Sequence, residues 1–366
     1  MKILFFIDNL GSGGAQRQIV NLAILFQERG HHVSFLIYGK SDFFLNILEK
    51  AQINVDRINS NGSIDRIVKV RKYIRTGTQD IVISFLETPN FLACLSAVGG
   101  RRWKLITNEL SAKVTSFNKF RGRLFKWFER YSDRVVCNSI NAQNLWERYC
   151  PKYKHKLFTI YNPVLILGEE KKSNYLRKDQ KKHIVVAASY QYLKNMNGLI
   201  EAVHMLSYEE KDKVQIDWYG RIEVTSGNTK AHEEAMKKIG KYRLTNISLH
   251  EATKDIITIM ANADFVCLFS KVEGLPNVIC EGMILGKPII MSKVSDYNIL
   301  VDKENGFLCD AENPESIKEA LIAAINLSQE EIAIMGENSR KKAVKLFNKN
   351  TIIDQWLNLI NSIEMR

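Results

Sequence analysis

The sequence has little cysteine and histidine and no long hydrophobic run, and each scarcity excludes a class of protein. Its six cysteines form no C-x-x-C pair and have no cluster of histidines beside them. A disulfide scaffold and a structural zinc site are therefore excluded, and we expect a reducing compartment. The N-terminal apolar run ends at Asp8 and is too short for a signal peptide. No segment approaches the ~20 apolar residues of a membrane-spanning helix, so we expect a protein that is soluble or bound at a surface.

Acidic residues are outnumbered, and the positive excess is concentrated. The formal net charge is +12 and the isoelectric point is about 9.3, which predicts an anionic partner such as a nucleic acid, a membrane surface or a phosphorylated substrate. Residues 101–130 hold nine basic and two acidic residues, more than half of the excess. A nucleic-acid-binding protein would spread basic and aromatic residues over a platform and carry a motif of that class. Because the sequence shows neither, we predict no nucleic-acid partner.

Short apolar segments alternate with amphipathic ones, which predicts parallel sheets covered by helices. The pattern stops at residues 161–182, where NPV precedes a polar, highly charged run, and then restarts. We predict an α/β fold of two doubly wound, Rossmann-like domains over residues 1–165 and 166–345. A C-terminal helix over residues 346–366 is expected to cross back to the first domain. The ligand site is expected at the carboxyl ends of the strands, in the cleft across which the domains face each other.

The apolar segments locate the strands. The predicted strands cover residues 2–7, 32–38, 80–85, 104–107 and 134–138 in the first half and residues 183–188, 214–219, 246–249, 265–269 and 288–291 in the second.

A glycine-rich loop separates the first predicted strand from the first helix. Glycine lets the backbone approach a ligand closely, and a helix N-terminus favours an anion, so Gly13 and Gly14 are candidate contacts for a phosphate or a sugar. The spacing from Gly11 does not match the dinucleotide motif G-x-G-x-x-G, because Gln16 occupies the last position. A tight strand-to-helix turn without a ligand explains the loop equally well.

Three charged residues follow predicted strands in the second half. Lys194, in LKN, is placed to neutralise a diphosphate. Taken alone, it fits a solvated surface lysine better, because the chain has 52 lysines and arginines. Glu273 and Glu281 stand with seven residues between them in KVEGLPNVICEGMILGKP, residues 271–288. Glu273 falls in a loop, and Glu281 falls in a helix for which Pro276 suits the first position. Singly, they could be a loop acid and an acid that complements the helix dipole.

Taken together, these elements resemble the family 4 retaining glycosyltransferases of GT-B architecture, of the bacterial surface-polysaccharide type. The resemblance covers nearly the whole chain. Its elements are GGAQR at 13–17, YNPV at 161–164, LKN at 193–195, FSKVEGLPNVICEGMILGKPII at 269–290 and SDYNILVDKENGFL at 295–308. The Glu-x7-Glu element with EGLPN and a following G-x-P is the specific part.

The resemblance implies a role for each matched residue. Glu281 would hold the ribose hydroxyls of the nucleotide, and Lys194 would pair with the leaving diphosphate. Glu273 would bind the donor sugar and stabilise the charge that develops at its anomeric carbon. The other expected donor contacts are Gly13, Gly14, Ser189, Asn195, Gly274, Leu275, Pro276, Asn277 and Val278. The family needs no metal or other cofactor, and the sequence shows no D-x-D metal motif.

Two positions depart from the family pattern. Ser189 stands where members commonly carry a second phosphate-binding arginine, so another basic residue or backbone amides would substitute. No histidine follows the strand at 80–85, where many members carry one. Glu87 and Glu109 are therefore candidates for orienting the acceptor or acting as general base, unless the leaving phosphate itself takes the acceptor proton.

Residues 117–131, FNKFRGRLFKWFERY, interleave aromatic and basic side chains. A helix of this kind can lie on an anionic membrane surface, and it can equally be an amphipathic helix packed on the first sheet. On the membrane it would present a polyprenyl-diphosphate-linked saccharide to the cleft.

The patterns and the resemblance together predict a metal-independent hexosyltransferase. It would transfer a hexose or N-acetylhexosamine, with retention, from a nucleotide-diphosphate sugar that we expect to be UDP-linked. The first domain would bind the acceptor, a saccharide that we expect to be lipid-linked, and the second would bind the donor. We expect a cytoplasmic enzyme, peripheral on the inner face of the cell membrane, in capsule, O-antigen or exopolysaccharide synthesis. The alternative is a non-catalytic sugar-binding or partner subunit of the same fold.

Overall fold

The computed structural model describes residues 1–110, 114–165, 181–223 and 227–364. The chain divides into two compact units. Unit 1 comprises Met1–Leu165 and Phe347–Arg366, and unit 2 comprises Ile166–Leu346. Most of the linker predicted at residues 161–182 lies outside the described residues.

The described part of unit 1 contains one parallel sheet of seven strands, in the order β3-β2-β1-β4-β5-β6-β7. The strands are β1 (Lys2–Phe6), β2 (His32–Ile37), β3 (Asn54–Arg57), β4 (Ile81–Phe85), β5 (Lys104–Glu109), β6 (Arg134–Cys137) and β7 (Leu157–Thr159). The strand order reverses between β1 and β4. In a doubly wound sheet this switch point is where the loops at the carboxyl ends of the strands diverge and bind ligands.

Helices cover both faces of this sheet. They are α1 (Gly14–Glu28), α2 (Leu45–Lys50), α3 (Ser63–Thr76), α4 (Glu87–Ser96), α5 (Thr115–Asn118), α6 (Phe120–Phe128) and α7 (Ile140–Tyr149), with 3-10 turns at Glu129–Tyr131 and Pro151–Lys156. Alternate residues of β1 enter opposite cores: Phe5 packs with Phe26 of α1, whereas Phe6 joins the cluster that contains Val70 of α3. A strand buried on both faces needs a continuous apolar run, which residues 3–6 (ILFF) supply.

Unit 2 repeats the design. Its described residues form a six-stranded parallel sheet in the order β10-β9-β8-β11-β12-β13. The strands are β8 (Lys182–Ala187), β9 (Val214–Gly220), β10 (Ile247–Glu251), β11 (Phe265–Leu268), β12 (Ile289–Ser292) and β13 (Gly306–Cys309). The helices are α8 (Met196–His204), α9 (Tyr208–Asp212), α10 (Lys230–Tyr242), α11 (Ile256–Asn262), α12 (Asn277–Ile284), α13 (Tyr297–Leu300), α14 (Pro314–Ile325) and α15 (Gln329–Phe347), with a 3-10 turn at Tyr192–Lys194. The switch point lies between β8 and β11.

The last helix, α16 (Lys349–Asn361), packs on α1 within unit 1. Its buried apolar stripe includes Trp356, whose ring meets Phe26 edge-on at 6.4 Å between centroids. Arg29 and Asp354 add an ion pair at 2.8 Å. This helix therefore completes the core on one face of the unit 1 sheet.

The predicted fold of two Rossmann-like α/β domains is confirmed, and all ten predicted strands are present with ends within two residues of those expected. The sequence pattern missed β3, β7 and β13. All three are edge strands of three or four residues. An edge strand buries less side chain, so its apolar run is too short to be recognised.

Candidate active site

Lys194 and Glu273 meet at the switch point of unit 2, on the loops that follow β8 and β11. Lys194 Nζ donates a hydrogen bond to Glu273 Oε1 at 2.5 Å, and both side chains are largely buried. The backbone N–H of Lys271 donates to the carbonyl of Leu193 at 2.8 Å, which ties the two loops together. Pairing of β8 with β11 thus unites two charged groups that are 79 positions apart in sequence.

Asn195 shapes the loop that carries Lys194. It precedes α8 in the left-handed conformation, with φ 62° and ψ 38°, which asparagine tolerates better than most residues. Its side-chain amide donates to the carbonyl of Ala311 at 2.7 Å in a buried position. This geometry favours a positioning role for Asn195 beside its neighbour Lys194.

Gly274 of the EGLPN loop accepts a hydrogen bond from a second loop. Ser295, itself at φ +57°, donates its hydroxyl hydrogen bond to the carbonyl of Gly274. Leu275 is buried and anchors the loop in unit 2. The loop that carries Glu273 is therefore braced on both sides.

The helix after this loop begins one residue later than expected. Pro276 is the N-cap residue of α12 and not its first helical residue, and α12 starts with Asn277 and Val278. The first-turn N–H groups of a helix point back along its axis, here toward the Glu273 loop.

Glu281 is the fifth residue of α12 and is buried. The adjacent Gly282 explains how this helix can lie so close to the sheet. A Cβ at Gly282 would lie 2.8 Å from Cβ of Val266 in β11, so a larger residue would push the helix outward. Gly282 thereby fixes the depth at which Glu281 is held.

Ser189 lies just after β8, and its hydroxyl accepts a hydrogen bond from Gln191 Nε2 at 2.9 Å. The backbone N–H of Tyr190 donates to the carbonyl of Arg221 at 3.1 Å. Arg221 is exposed and follows β9 directly. It is therefore a basic residue at the same edge of the sheet as Ser189.

The glycine-rich loop of unit 1 ends at the start of α1. Gly13 is the N-cap residue and Gly14 the first helical residue, and both are exposed. The first turn of α1 contains no acidic residue, so the positive end of the helix dipole is not offset. Asp8 accepts a hydrogen bond from Gln16 Nε2 at 3.3 Å, which fastens the loop to the helix.

Asp8 and Tyr38 belong to this edge, and neither was predicted from the sequence as a site residue. Burial raises the pKa of the Asp8 carboxyl, while the carbonyl of Asp8 accepts from the Tyr38 N–H at 3.1 Å. Burial, and after it the charge of Asp8, raise the pKa of Tyr38 to about 12, so the phenol keeps its proton at neutral pH. In the sequence, the signal for Asp8 is an acidic residue directly after a buried strand, because parallel sheets bind ligands at the carboxyl ends of their strands.

Glu87 is exposed at the carboxyl end of β4 and is the first residue of α4. Leu86 before it has φ +78° and ψ 151°, a region essentially restricted to glycine. Strain of this kind persists where the surroundings enforce it, and it is common at functional sites. Arg121 donates to Thr88 Oγ1 at 3.2 Å and brings a cation to the same place.

Glu109, by contrast, is buried inside unit 1. Its Oε2 accepts from Lys126 Nζ at 2.8 Å and from Trp146 Nε1 at 3.1 Å. Burial lowers the pKa of Lys126, but the charge and hydrogen bond of Glu109 outweigh that effect, and the pKa is raised overall. This arrangement favours a structural role for Glu109 over that of general base.

Within residues 1–110, 114–165, 181–223 and 227–364, no three histidine, cysteine, aspartate or glutamate side chains converge as a metal site would require. No helix there has the combined length and hydrophobicity of a membrane span. All six cysteines are free thiols.

Two family models match the chain in succession. Glycosyltransferase Family 4 matches residues 12–165, and Glycosyl transferases group 1 matches residues 168–342. The first match lies in unit 1 and the second in unit 2. Both strands of the unit 2 switch point, β8 and β11, lie within the second match, whereas at the unit 1 switch point β4 lies within the first match and β1 just before it.

Similar proteins span the whole chain. An uncharacterised glycosyltransferase of Haemophilus influenzae is 27% identical over 98% of this chain and 99% of its own. A second relative, from Campylobacter jejuni, is GalNAc-alpha-(1->4)-GalNAc-alpha-(1->3)-diNAcBac-PP-undecaprenol alpha-1,4-N-acetyl-D-galactosaminyltransferase. It is 23% identical over 100% of this chain and 99% of its own. Among solved structures, Anabaena Alr3699/HepE in complex with UDP and glucose aligns with a TM-score of 0.86, at 20% identity, over 99% of this chain and 100% of its own. The chain therefore belongs to the family 4 glycosyltransferases, enzymes of the GT-B fold with two Rossmann-like domains.

Proposed function

We propose that this glycosyltransferase transfers a hexose or N-acetylhexosamine, with retention, from a UDP-sugar to a lipid-linked saccharide. The observation that carries the proposal is the Lys194–Glu273 pair at the unit 2 switch point, with Glu281 in the following helix. The C. jejuni relative is named for a diphospho-undecaprenol-linked substrate, and HepE was solved with UDP and glucose. The proposed setting is bacterial surface-polysaccharide assembly at the cytoplasmic face of the membrane.

The Lys194–Glu273 pair suggests how the site responds to its donor. Without a donor, each charge neutralises the other at 2.5 Å. A diphosphate offers Lys194 a partner of higher charge, and Glu273 is then released toward the sugar. There the carboxylate stabilises the positive charge that develops at the anomeric carbon, while Lys194 stabilises the departing diphosphate. Both effects are strongest in the transition state, so they act mainly on kcat.

No protein side chain is assigned as the general base. Glu109 is held by Lys126 and Trp146 inside unit 1, so we propose that the leaving phosphate takes the acceptor proton. Asp8, Tyr38 and Glu87, at the carboxyl edge of the unit 1 sheet, are then the proposed hydrogen-bonding groups for the acceptor hydroxyls.

Donor choice is tested by a thermal-shift screen of UDP-, GDP- and ADP-sugars. We expect UDP-sugars to raise Tm most, because a ligand that binds only the native state stabilises it by about 2.7 kcal/mol at 100 times its Kd. Glu281→Ala should weaken donor binding about tenfold or more, since it removes a charge-assisted hydrogen-bond acceptor. Glu312→Ala, at an exposed acid of the same unit, is the matched control. A shift confined to GDP- or ADP-sugars, or an unchanged affinity in Glu281→Ala, would contradict the assignment.

A non-catalytic sugar-binding subunit is the second candidate, favoured by the uncharged Ser189 at the position of a phosphate-binding arginine. The two functions differ in turnover. The enzyme releases UDP slowly from the donor by hydrolysis, whereas a binding subunit leaves the donor intact through prolonged incubation.

We also propose that the enzyme is peripheral on the membrane through α6. This helix has three faces. Phe125 and Phe128 pack on Phe91 of α4, with Phe91 and Phe125 stacked at 4.4 Å. The second face carries Gly122 and Lys126, and both residues are buried. The backbone packs closely there, because a Cβ at Gly122 would lie 1.9 Å from the carbonyl oxygen of Ser116. The third face is exposed.

This exposed face is apolar at its centre and basic around it. Phe120, Leu124 and Trp127 follow one another at helical spacing and are 82%, 40% and 41% exposed. Exposed basic residues flank them at Lys119, Arg121, Arg123 and Arg130. An amphipathic surface of this kind suits the interface of an anionic bilayer.

Flotation with phosphatidylglycerol liposomes tests membrane binding. The triple variant K119E/R123E/R130E is expected to reduce the bound fraction at least tenfold, because each basic residue near an anionic surface contributes about 1 kcal/mol. Lys126 is unsuitable for this test because it is buried in the ion pair with Glu109. The charge-matched control K237E/K241E/K345E changes exposed lysines of unit 2 and should float like the parent. Equal flotation of both triple variants would contradict membrane binding through α6.

A further inference from the structure

A pocket of about 630 Å³ opens beside α6 in unit 1. Its volume lies in the range of ~300–1,000 Å³ that is typical of small-molecule sites. It is formed by α5, α6, the end of α7 and the 3-10 turn Pro151–Lys156. The carboxyl edge that carries Asp8 and Glu87 does not line it, so the acceptor groups proposed above do not account for this pocket.

The pocket has aromatic walls that other contacts hold in place. Phe117 stacks on Tyr149 with 5.1 Å between ring centroids, and Phe117 itself is buried. The hydroxyl of Tyr153 donates to the carbonyl of Trp127 at 3.0 Å, which fixes the turn against α6. The exposed apolar residues of α6 complete the lining. The walls are therefore pre-formed, and their apolar surface favours a hydrocarbon ligand.

The charged side chains that line the pocket are basic. None of the residues that line it in the described structure is acidic, whereas Arg123, Lys126 and Lys152 all contribute. Lys126 is neutralised by Glu109. Arg123 and Lys152 are exposed, so their charges are available to an anionic group at the pocket mouth. A ligand that complements both features carries a hydrocarbon chain and a phosphate.

We propose that this pocket binds part of the prenyl chain of a phosphorylated polyprenyl carrier, with the phosphates held by Arg123 and Lys152. This inference deepens the proposed function and rests on it only in taking the acceptor to be lipid-linked. The helix that forms the pocket also packs on α4 through Phe125, and its Arg121 reaches Thr88 next to Glu87. A carrier bound here would therefore lie along the helix whose first turn borders the carboxyl edge of the sheet.

The test is calorimetric titration of the full-length protein with farnesyl diphosphate, without vesicles and without donor. Farnesyl diphosphate is expected to bind at least tenfold more tightly than farnesol or inorganic diphosphate, because only it satisfies both the apolar walls and the cations. Leu124→Trp fills the pocket from a position that is already 40% exposed and should weaken binding at least tenfold. R123E/K152E should weaken binding of farnesyl diphosphate but not of farnesol.

Val344→Trp, at a site of unit 2 that is 48% exposed, is the control for adding a surface tryptophan and should bind like the parent. Equal affinity for farnesol and farnesyl diphosphate, or unchanged affinity in Leu124→Trp, would overturn the proposal. Binding that occurs only when phosphatidylglycerol vesicles are present would also overturn it, in favour of a membrane surface as the occupant. The UDP-sugar thermal shift is measured separately on the same variants, so loss of prenyl binding with an intact donor response leaves the proposed function standing.

Discussion

Replacement of Glu273 by glutamine is expected to lower kcat by about 10²–10³-fold, the loss typical when one group that stabilises developing charge is removed. Glutamine has the size of glutamate, and its carbonyl oxygen can still accept from Lys194, now 2.5 Å from the carboxylate. The loops should therefore keep their geometry. What is lost is the negative charge beside the anomeric carbon. Because that charge matters most in the transition state, kcat should fall far more than KM rises.

Steady-state release of UDP in the presence of acceptor measures this prediction. Glu312→Gln is the matched control, since Glu312 also pairs with a lysine, Lys271 at 2.6 Å, but on the exposed surface of the same unit. Lys194→Met should lower kcat to a similar extent, and the double variant should lose less than the product of the single effects, because both groups act on one bond cleavage. Turnover by Glu273→Gln at the parent rate would refute the catalytic assignment.

Much of the unit 2 site could be predicted from the sequence because its signals are local. Gly274 and Pro276 mark a loop that turns into a helix, and the apolar run before them marks a strand. In a parallel sheet this order alone puts Glu273 at the carboxyl edge and Glu281 in the next helix. The structure places both residues accordingly.

Two properties of the same site depend on contacts between distant segments, and no local pattern specifies them. The pairing of Lys194 with Glu273 requires β8 and β11 to be neighbours, a choice made by the topology of the whole sheet. The brace from Ser295 to Gly274 likewise joins residues 21 positions apart through neighbouring strands.

The basic segment at 117–131 shows a different limit. In a nine-residue helix the aromatic residues occupy more than one face, so periodicity alone does not tell which of them are buried. Lys126 lies among exposed basic residues in sequence, yet it is buried because Glu109 supplies a partner inside the unit. The structure shows that one face of the segment packs on α4 and another is exposed, and binding of that exposed face to a membrane stays a prediction.

The buried pair of Lys126 and Glu109 predicts a large effect on stability. Lys126→Ala is expected to lower the free energy of unfolding of unit 1 by about 3–5 kcal/mol, the cost of leaving one charge of a buried pair uncompensated. The loss should be large because Lys126 also lies 4.3 Å from the ring centroid of Phe117 and 4.4 Å from that of Trp146. Urea unfolding followed by tryptophan fluorescence measures it, and four of the five tryptophans lie in unit 1.

A double-mutant cycle separates this structural role from the catalytic role that the sequence suggested for Glu109. K126M/E109Q removes both charges, keeps an acceptor for Trp146 Nε1, and should recover most of the stability that either single change loses. Lys119→Ala, at an exposed lysine of the same helix region, should change stability by no more than about 0.5 kcal/mol. If Glu109 only positions α6, K126M/E109Q should retain turnover on a soluble acceptor within a few-fold of the parent. If Glu109 is the general base, the double variant should lose turnover even though its stability is restored. That result would contradict the proposal that the leaving phosphate accepts the proton.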